Sequence, residues 1–235
     1  MKKKTIILVL ALFLVIITGI GLILQTYFSR SSRARKVMRF IRQPGSQEEL
    51  IIPALSRCGD APFLMPSTGM IGFIWDDSFR PGHRHQGIDI FSGTDVGETP
   101  IYAAYDGYLT RQVDWKASLI IRIPSDPLNP DKQIWTYYTH LADSSGNSLV
   151  SEAFPPGTTE KFVAAGTYLG LQGNYSGTPG NPTGIHLHFS IVKDDGSGVF
   201  LNELKIENTL DPSPYFGMVL NANENKNDIP ACNNE

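Results

Sequence analysis

Between positions 101 and 192 the apolar residues come in short bursts rich in β-branched and aromatic types. Ile101–Ala104 leads into Asp106-Gly107, a turn dipeptide, and Tyr108–Val113 follows it. Leu119–Ile123 ends at Pro124, and Ile134–His140, Thr167–Gln172 and Ile185–Val192 complete the series. Runs of this length and make-up, bounded by Gly and Pro, predict strands. Outside the N-terminus no long amphipathic helical pattern is visible. The pattern predicts an all-β (β-rich) domain of antiparallel sheets folded as a sandwich or partial barrel.

The N-terminus follows a different pattern. Met1-Lys-Lys-Lys precedes an uncharged, almost wholly aliphatic run from Thr5 to Leu24. About 20 apolar residues suffice to cross a bilayer, whereas a cleavable signal has a core of roughly 7–15 residues and a small-residue cleavage site. No clear Ala-x-Ala site follows, so an uncleaved transmembrane helix is expected, with cleavage and secretion as the alternative. The expected organisation is a cytoplasmic flank and transmembrane anchor over 1–28 and a basic juxtamembrane linker over 29–60. A folded domain then spans 61–216, and a polar, Asn-rich, mobile tail 217–235. The basic stretch from Ser29 to about Gln43 could lie against anionic headgroups.

Charge adds an asymmetry. Nine of the 20 Lys and Arg lie before Pro44, and no Asp or Glu precedes Glu48. The folded part is therefore acidic, which argues against a nucleic-acid partner. Six basic residues follow the apolar run and three precede it, a count that by itself places the domain in the cytoplasm. The two cysteines, Cys58 and Cys232, flank the domain and could pair outside the cytoplasm, and an extracytoplasmic domain is favoured because it suits the function. Oligomeric state is not legible.

Four of the five histidines fall in three islands: His85-Gln-Gly-Ile-Asp89, Tyr138-Thr-His140-Leu141 and Gly184-Ile-His186-Leu-His188-Phe189. In a strand, residues two apart share a face, so His186 and His188 would look into one cavity while Leu187 and Phe189 face away. Gly87 allows His85 and Asp89 to converge. Catalytic zinc sites keep three protein ligands from His and carboxylate groups and one open position. His85, Asp89 and one histidine of the pair make such a set, and spacing alone leaves open which one. The helical His-Glu-x-x-His arrangement, with its Glu base, is absent. Proton transfer then falls to His140 and the spare histidine of the pair. His83 reads as a solvated bystander. Trp75, Phe79, Tyr108 and Tyr175 are candidate cleft aromatics, although aromatics in β proteins are more often packing residues.

Together and in this order the islands resemble the M23 (LytM/lysostaphin-type) zinc metallopeptidases over about 65–216. Pro100–Gly107 and the Leu210-Asp-Pro-Ser-Pro-Tyr-Phe216 segment extend the likeness. The resemblance implies a fold of the duplicated hybrid motif type and one Zn2+ per chain held by His85, Asp89 and His188. It implies His140 and His186 as the catalytic pair, and peptidoglycan peptide stems or cross-bridges as substrate. The chain departs from the family pattern at Ser190, where many relatives carry Glu, and in long loops at Gly173–Pro182 and Leu128–Lys132. Some relatives have lost ligands and act as non-catalytic regulators or wall-binding modules that activate another hydrolase. The complete set here argues against that alternative. A cupin-like metal site would need a further His after the pair, and none follows His188.

Overall fold

The computed structural model describes residues 13, 18–19, 32–78 and 82–232. Among these no helix is long and apolar enough to cross a membrane. The expected span over 5–24 lies outside the described residues apart from positions 13, 18 and 19.

The strands are β1 Met70–Phe73, β2 Ile88–Phe91, β3 Pro100–Tyr102, β4 Gly107–Thr110, β5 Leu119–Ile123 and β6 Ile134–Thr139. They continue with β7 Lys161–Val163, β8 Tyr168–Leu171, β9 Leu187–Lys193 and β10 Thr209–Leu210. One large antiparallel sheet runs β1-β2-β9-β6-β5-β4-β7, with β10 also on β9, and β3 pairs with β8 in a small second sheet. The expectation of a β-rich protein of antiparallel sheets is met. The α-helices among the described residues include α1, Ser32–Arg42, and the single turn α2, Ser213–Phe216.

Both faces of the large sheet are covered near its middle. Leu119, Ile121, Ile134, Tyr138, Leu187, Phe189 and Ile191 enter the main core. Ile120, Trp135, Tyr137 and Val192 join a second cluster with Trp115, Phe200 and Leu201 on the other face. Period two therefore distributes apolar side chains to both sides of β5, β6 and β9. β1 divides likewise: Ile71 enters the main core, and Met70 packs under α1 with Val37 and Phe40.

Two segments expected to lie outside the domain are packed onto it. The expected linker contains α1, whose Val37 and Phe40 are fully buried. Arg33 is buried as well: its guanidinium donates to Asp77 Oδ2 from Nη2 at 2.9 Å and to the Asn225 carbonyl from Nη1 at 2.7 Å. A buried charge persists where its donors are met in this way. The expected mobile tail supplies that carbonyl, places buried Leu220 in the main core and sets Ile229 against Val37 and Phe40. Polar composition concealed both segments, because a few apolar anchors suffice to fix them.

Cys58 and Cys232 form a disulfide, 174 residues apart in sequence, so the tail is tied to the start of the domain. Cys58→Ala/Cys232→Ala is expected to lose about 2–4 kcal/mol of stability. Chemical unfolding of the variant beside the wild type measures this.

Candidate metal centre

The sheet register builds the site. Asp89 on β2 and His188 on β9 are direct cross-strand partners, and Thr139 on β6 pairs with His188 from the other side. Their neighbours Ile88, Ile90, Leu187 and Phe189 are fully buried in the main core. By alternation Asp89 and His188 project from the opposite face. His85 arrives from the loop before β2, pinned by its own N–H donating to the Asp77 carbonyl and its carbonyl accepting from the Asp76 N–H, both at 2.8 Å.

Three ligand-type atoms meet there. His85 Nε2 lies 3.0 Å from both Asp89 Oδ1 and His188 Nδ1, and His188 Nδ1 lies 2.9 Å from Asp89 Oδ1. His85 Nδ1 faces the Ile74 carbonyl at 3.0 Å. A carbonyl only accepts, so the proton of a neutral His85 sits on Nδ1 and its Nε2 offers a lone pair. Lone pairs converging at this spacing repel unless a proton or a cation lies among them. Zinc with bonds of about 2.0–2.2 Å sets tetrahedral ligands roughly 3.3 Å apart, close to the spacing seen. The carbonyl behind His85 is the kind of outer partner that orients a metal-bound imidazole. Chemically and spatially, the donor set fits a divalent metal. His85, Asp89 and His188 are also the group of His, Cys, Asp and Glu among the described residues whose atoms gather closely enough to hold an ion.

His140 and His186 stand beside this cluster, their ring centroids 4.5 Å apart. His140 Nδ1 donates to the Tyr175 carbonyl at 2.6 Å, and His186 Nδ1 donates to the Gly184 carbonyl at 2.7 Å. Both rings therefore keep Nε2 as the free base. His186 Nε2 is 3.6 Å from Asp89 Oδ1, farther than His188 Nδ1. His140 follows the last residue of β6 with φ +73°. That left-handed backbone is costly for a side chain with a Cβ, and such positions gather at functional sites.

Burial sets the charge states. Burial pushes His186 down to about 4, against the opposing pull of Asp89, and it lowers His140 and His188 as well. His85 is also penalised by burial, but Asp89 outweighs this and raises its pKa. Burial works against the Asp89 carboxylate too, yet His85 and His186 hold its pKa well below the ordinary value. At neutral pH His140 and His186 are neutral bases beside a carboxylate.

These groups lie in a cleft of about 1300 Å³. Of the candidate aromatics, Tyr175 lines it. His83, expected to be a bystander, is half-buried at the cleft with its ring centroid 6.4 Å from that of His85. Trp75 and Tyr108 are not cleft residues. Trp75 Nε1 donates to Thr209 Oγ1 at 2.9 Å, and Tyr108 packs on Phe162 and under Arg122. Phe79 lies outside the described residues. Sequence reasoning missed Phe91, stacked on His186 at 4.9 Å, and the linked hydroxyls of Tyr137, Ser118 and Thr139. It also missed the α1 side of the cleft. A signal for Phe91 exists in the period-two spacing Asp89, Phe91.

Gly87 has a steric duty. A Cβ there would sit 2.0 Å from the Phe189 carbonyl oxygen and 2.9 Å from Ser190 Cβ. Gly87→Ala is expected to force the chain off β9, costing about 1–3 kcal/mol by overpacking. Calorimetry reads the loss, and a zinc titration should show weaker binding, because the shift falls between His85 and Asp89.

No family model and no curated protein matches the chain. Among solved structures it is similar to the catalytic domain of the antimicrobial peptidase lysostaphin from Staphylococcus simulans, at 19% identity and a TM-score of 0.39, over 62% of this chain and 88% of that one. It is also similar to a structure of lysostaphin itself, at 16% identity and a TM-score of 0.40, over 70% of this chain and 54% of that one. A third similar structure is the catalytic domain of a variant of the prophage-encoded M23 protein EnpA from Enterococcus faecalis, at 21% identity and a TM-score of 0.37, over 63% of this chain and 95% of that one.

Proposed function

We propose that this chain is a zinc metalloendopeptidase of the M23 type that hydrolyses peptide bonds of bacterial peptidoglycan. The observation that carries the reading is the meeting of His85 Nε2, Asp89 Oδ1 and His188 Nδ1 within 3.0 Å, with two neutral histidines alongside. His85, Asp89 and His188 would hold the metal, which when bound would supply Lewis acidity toward a carbonyl and water at neutral pH. His186 and His140 act through Nε2, each locked in orientation by a carbonyl on Nδ1. One takes the proton of the attacking water, and protonated imidazole returns it to the leaving amine. The imidazolium form also stabilises negative charge developing on the substrate oxygen. Phe91 against His186 keeps bulk water from one side of that ring.

We further read the apolar run over 5–24 as a single-pass anchor in the bacterial cell membrane, with the domain outside because its substrate lies there, acting on the wall of its own cell. The Cys58–Cys232 disulfide supports the extracytoplasmic side, because such bonds persist in oxidising compartments.

The test is digestion of purified peptidoglycan by the full chain in detergent. Soluble fragments with newly exposed amines should appear, stop with chelator and return with zinc. Robust zinc binding without any released amine would instead favour a wall-binding regulator.

A further inference from the structure

Helix α1 presents three stripes, each rotated about 100° from the last. Arg33, Val37 and Phe40 are buried against the sheet and tail. Ala34, Met38 and Ile41 line the cleft that contains the histidines, and Met38 and Ile41 remain 46% and 41% exposed. Arg35, Arg39 and Arg42 are exposed on the next stripe, around a shallow depression that shares Ala34 and Met38 with the main cleft. Among the described residues no carboxylate pairs with these three arginines, whereas Arg33 and Lys36 on the same helix reach Asp77 and Asp228.

The sheet order fixes where this wall stands. α1 packs on β1, at one end of the series β1-β2-β9-β6-β5. The metal ligands sit on β2 and β9 and in the loop before β2. Trp115, which rests on Tyr137 of β6, and Asp114 line the cleft beyond them. A chain lying across the strands would meet the ligands in the middle and α1 at one end.

Resting on the proposed peptidase reading, we propose that α1 is a substrate wall that selects acidic peptides. Met38 and Ile41 receive an apolar portion of the peptide, and Arg35, Arg39 and Arg42 receive free carboxylates a few residues from the scissile bond. Exposed charge pairs of this kind are individually weak and screened by salt, so the three arginines act together. They set specificity and take no part in the chemistry.

The test is equilibrium binding by the zinc-loaded full chain in neutral-lipid nanodiscs. The probes are a synthetic tetrapeptide with two free carboxylates and its fully amidated twin. Arg35→Gln/Arg39→Gln/Arg42→Gln should weaken the acidic peptide about tenfold and leave the amidated one unchanged. Added salt should erase the difference in the wild type. Met38→Ser/Ile41→Ser should weaken both peptides. Equal affinity of the triple arginine variant and wild type for the acidic peptide overturns the proposal, whether or not attachment to phosphatidylglycerol vesicles changes. Binding needs no turnover, so absent hydrolysis would count against the peptidase reading alone.

Discussion

His188→Ala is expected to yield a folded chain that retains no zinc and cuts peptidoglycan at least about a thousandfold more slowly. Folding should survive because β9 is held by its other face, where Leu187, Phe189 and Ile191 are fully buried. The His188 ring projects away from that core, and its polar contacts are with Asp89 Oδ1 and His85 Nε2. Removing it leaves His85 and Asp89, two ligands where an open zinc site keeps three. A bound metal contributes several kcal/mol of charge stabilisation in the transition state, and each 1.36 kcal/mol is a factor of ten in rate. Peptidoglycan turnover and circular dichroism on the same sample separate loss of chemistry from loss of fold.

His140→Ala and His186→Ala should behave differently. Each variant is expected to keep its zinc and lose about 10²–10⁴ in kcat, the usual worth of a positioned acid or base. Neither ring is among the three groups that meet at the ligand cluster. His140 offers a further control, because its φ of +73° suits glycine. His140→Gly and His140→Ala lose the same ring, but the glycine variant should be more stable by about 1 kcal/mol. Equal stability would show that the left-handed backbone at this position carries no cost. Single-turnover kinetics with saturating zinc, beside thermal unfolding of the pair, reads both effects.

Legibility from sequence followed local physics. β5, β6 and β9 were readable because they are continuous β-branched and aromatic runs bounded by turn residues. The shared face of His186 and His188 followed from period two, and the register that pairs Asp89 with His188 gave it a floor. β1 and β2 were not read as strands. Each is four residues long, and β1 is divided between two cores, so neither alternates clearly. α1 escaped notice because its six polar or basic positions hide the Val37–Phe40 pair that anchors it. The turn that swings His140 into the cleft is a backbone event, and nothing in Thr139-His140-Leu141 announces it. Trp75 follows the commoner behaviour of an aromatic in a β protein: it packs, and its indole N–H is occupied by Thr209.

The same contrast explains the tail. Its Asn-rich composition suggested mobility, yet Asn221 Nδ2 donates to Asp211 Oδ2 at 2.6 Å and Asn223 Nδ2 donates to Asp76 Oδ2 at 2.7 Å. Asparagine satisfies backbone and carboxylate partners as readily as water does. With Cys232 bonded to Cys58, the tail also steadies α1 through Arg33 and Ile229. The wall of the cleft therefore depends on a segment far from it in sequence.

The central claim is that His188, and not His186, holds the metal. Zinc content after equilibration and gel filtration, measured by plasma mass spectrometry on wild type, His186→Ala and His188→Ala, tests it most directly. One zinc per chain is expected in the wild type and in His186→Ala, and none in His188→Ala. Zinc retained by His188→Ala and lost from His186→Ala would contradict it.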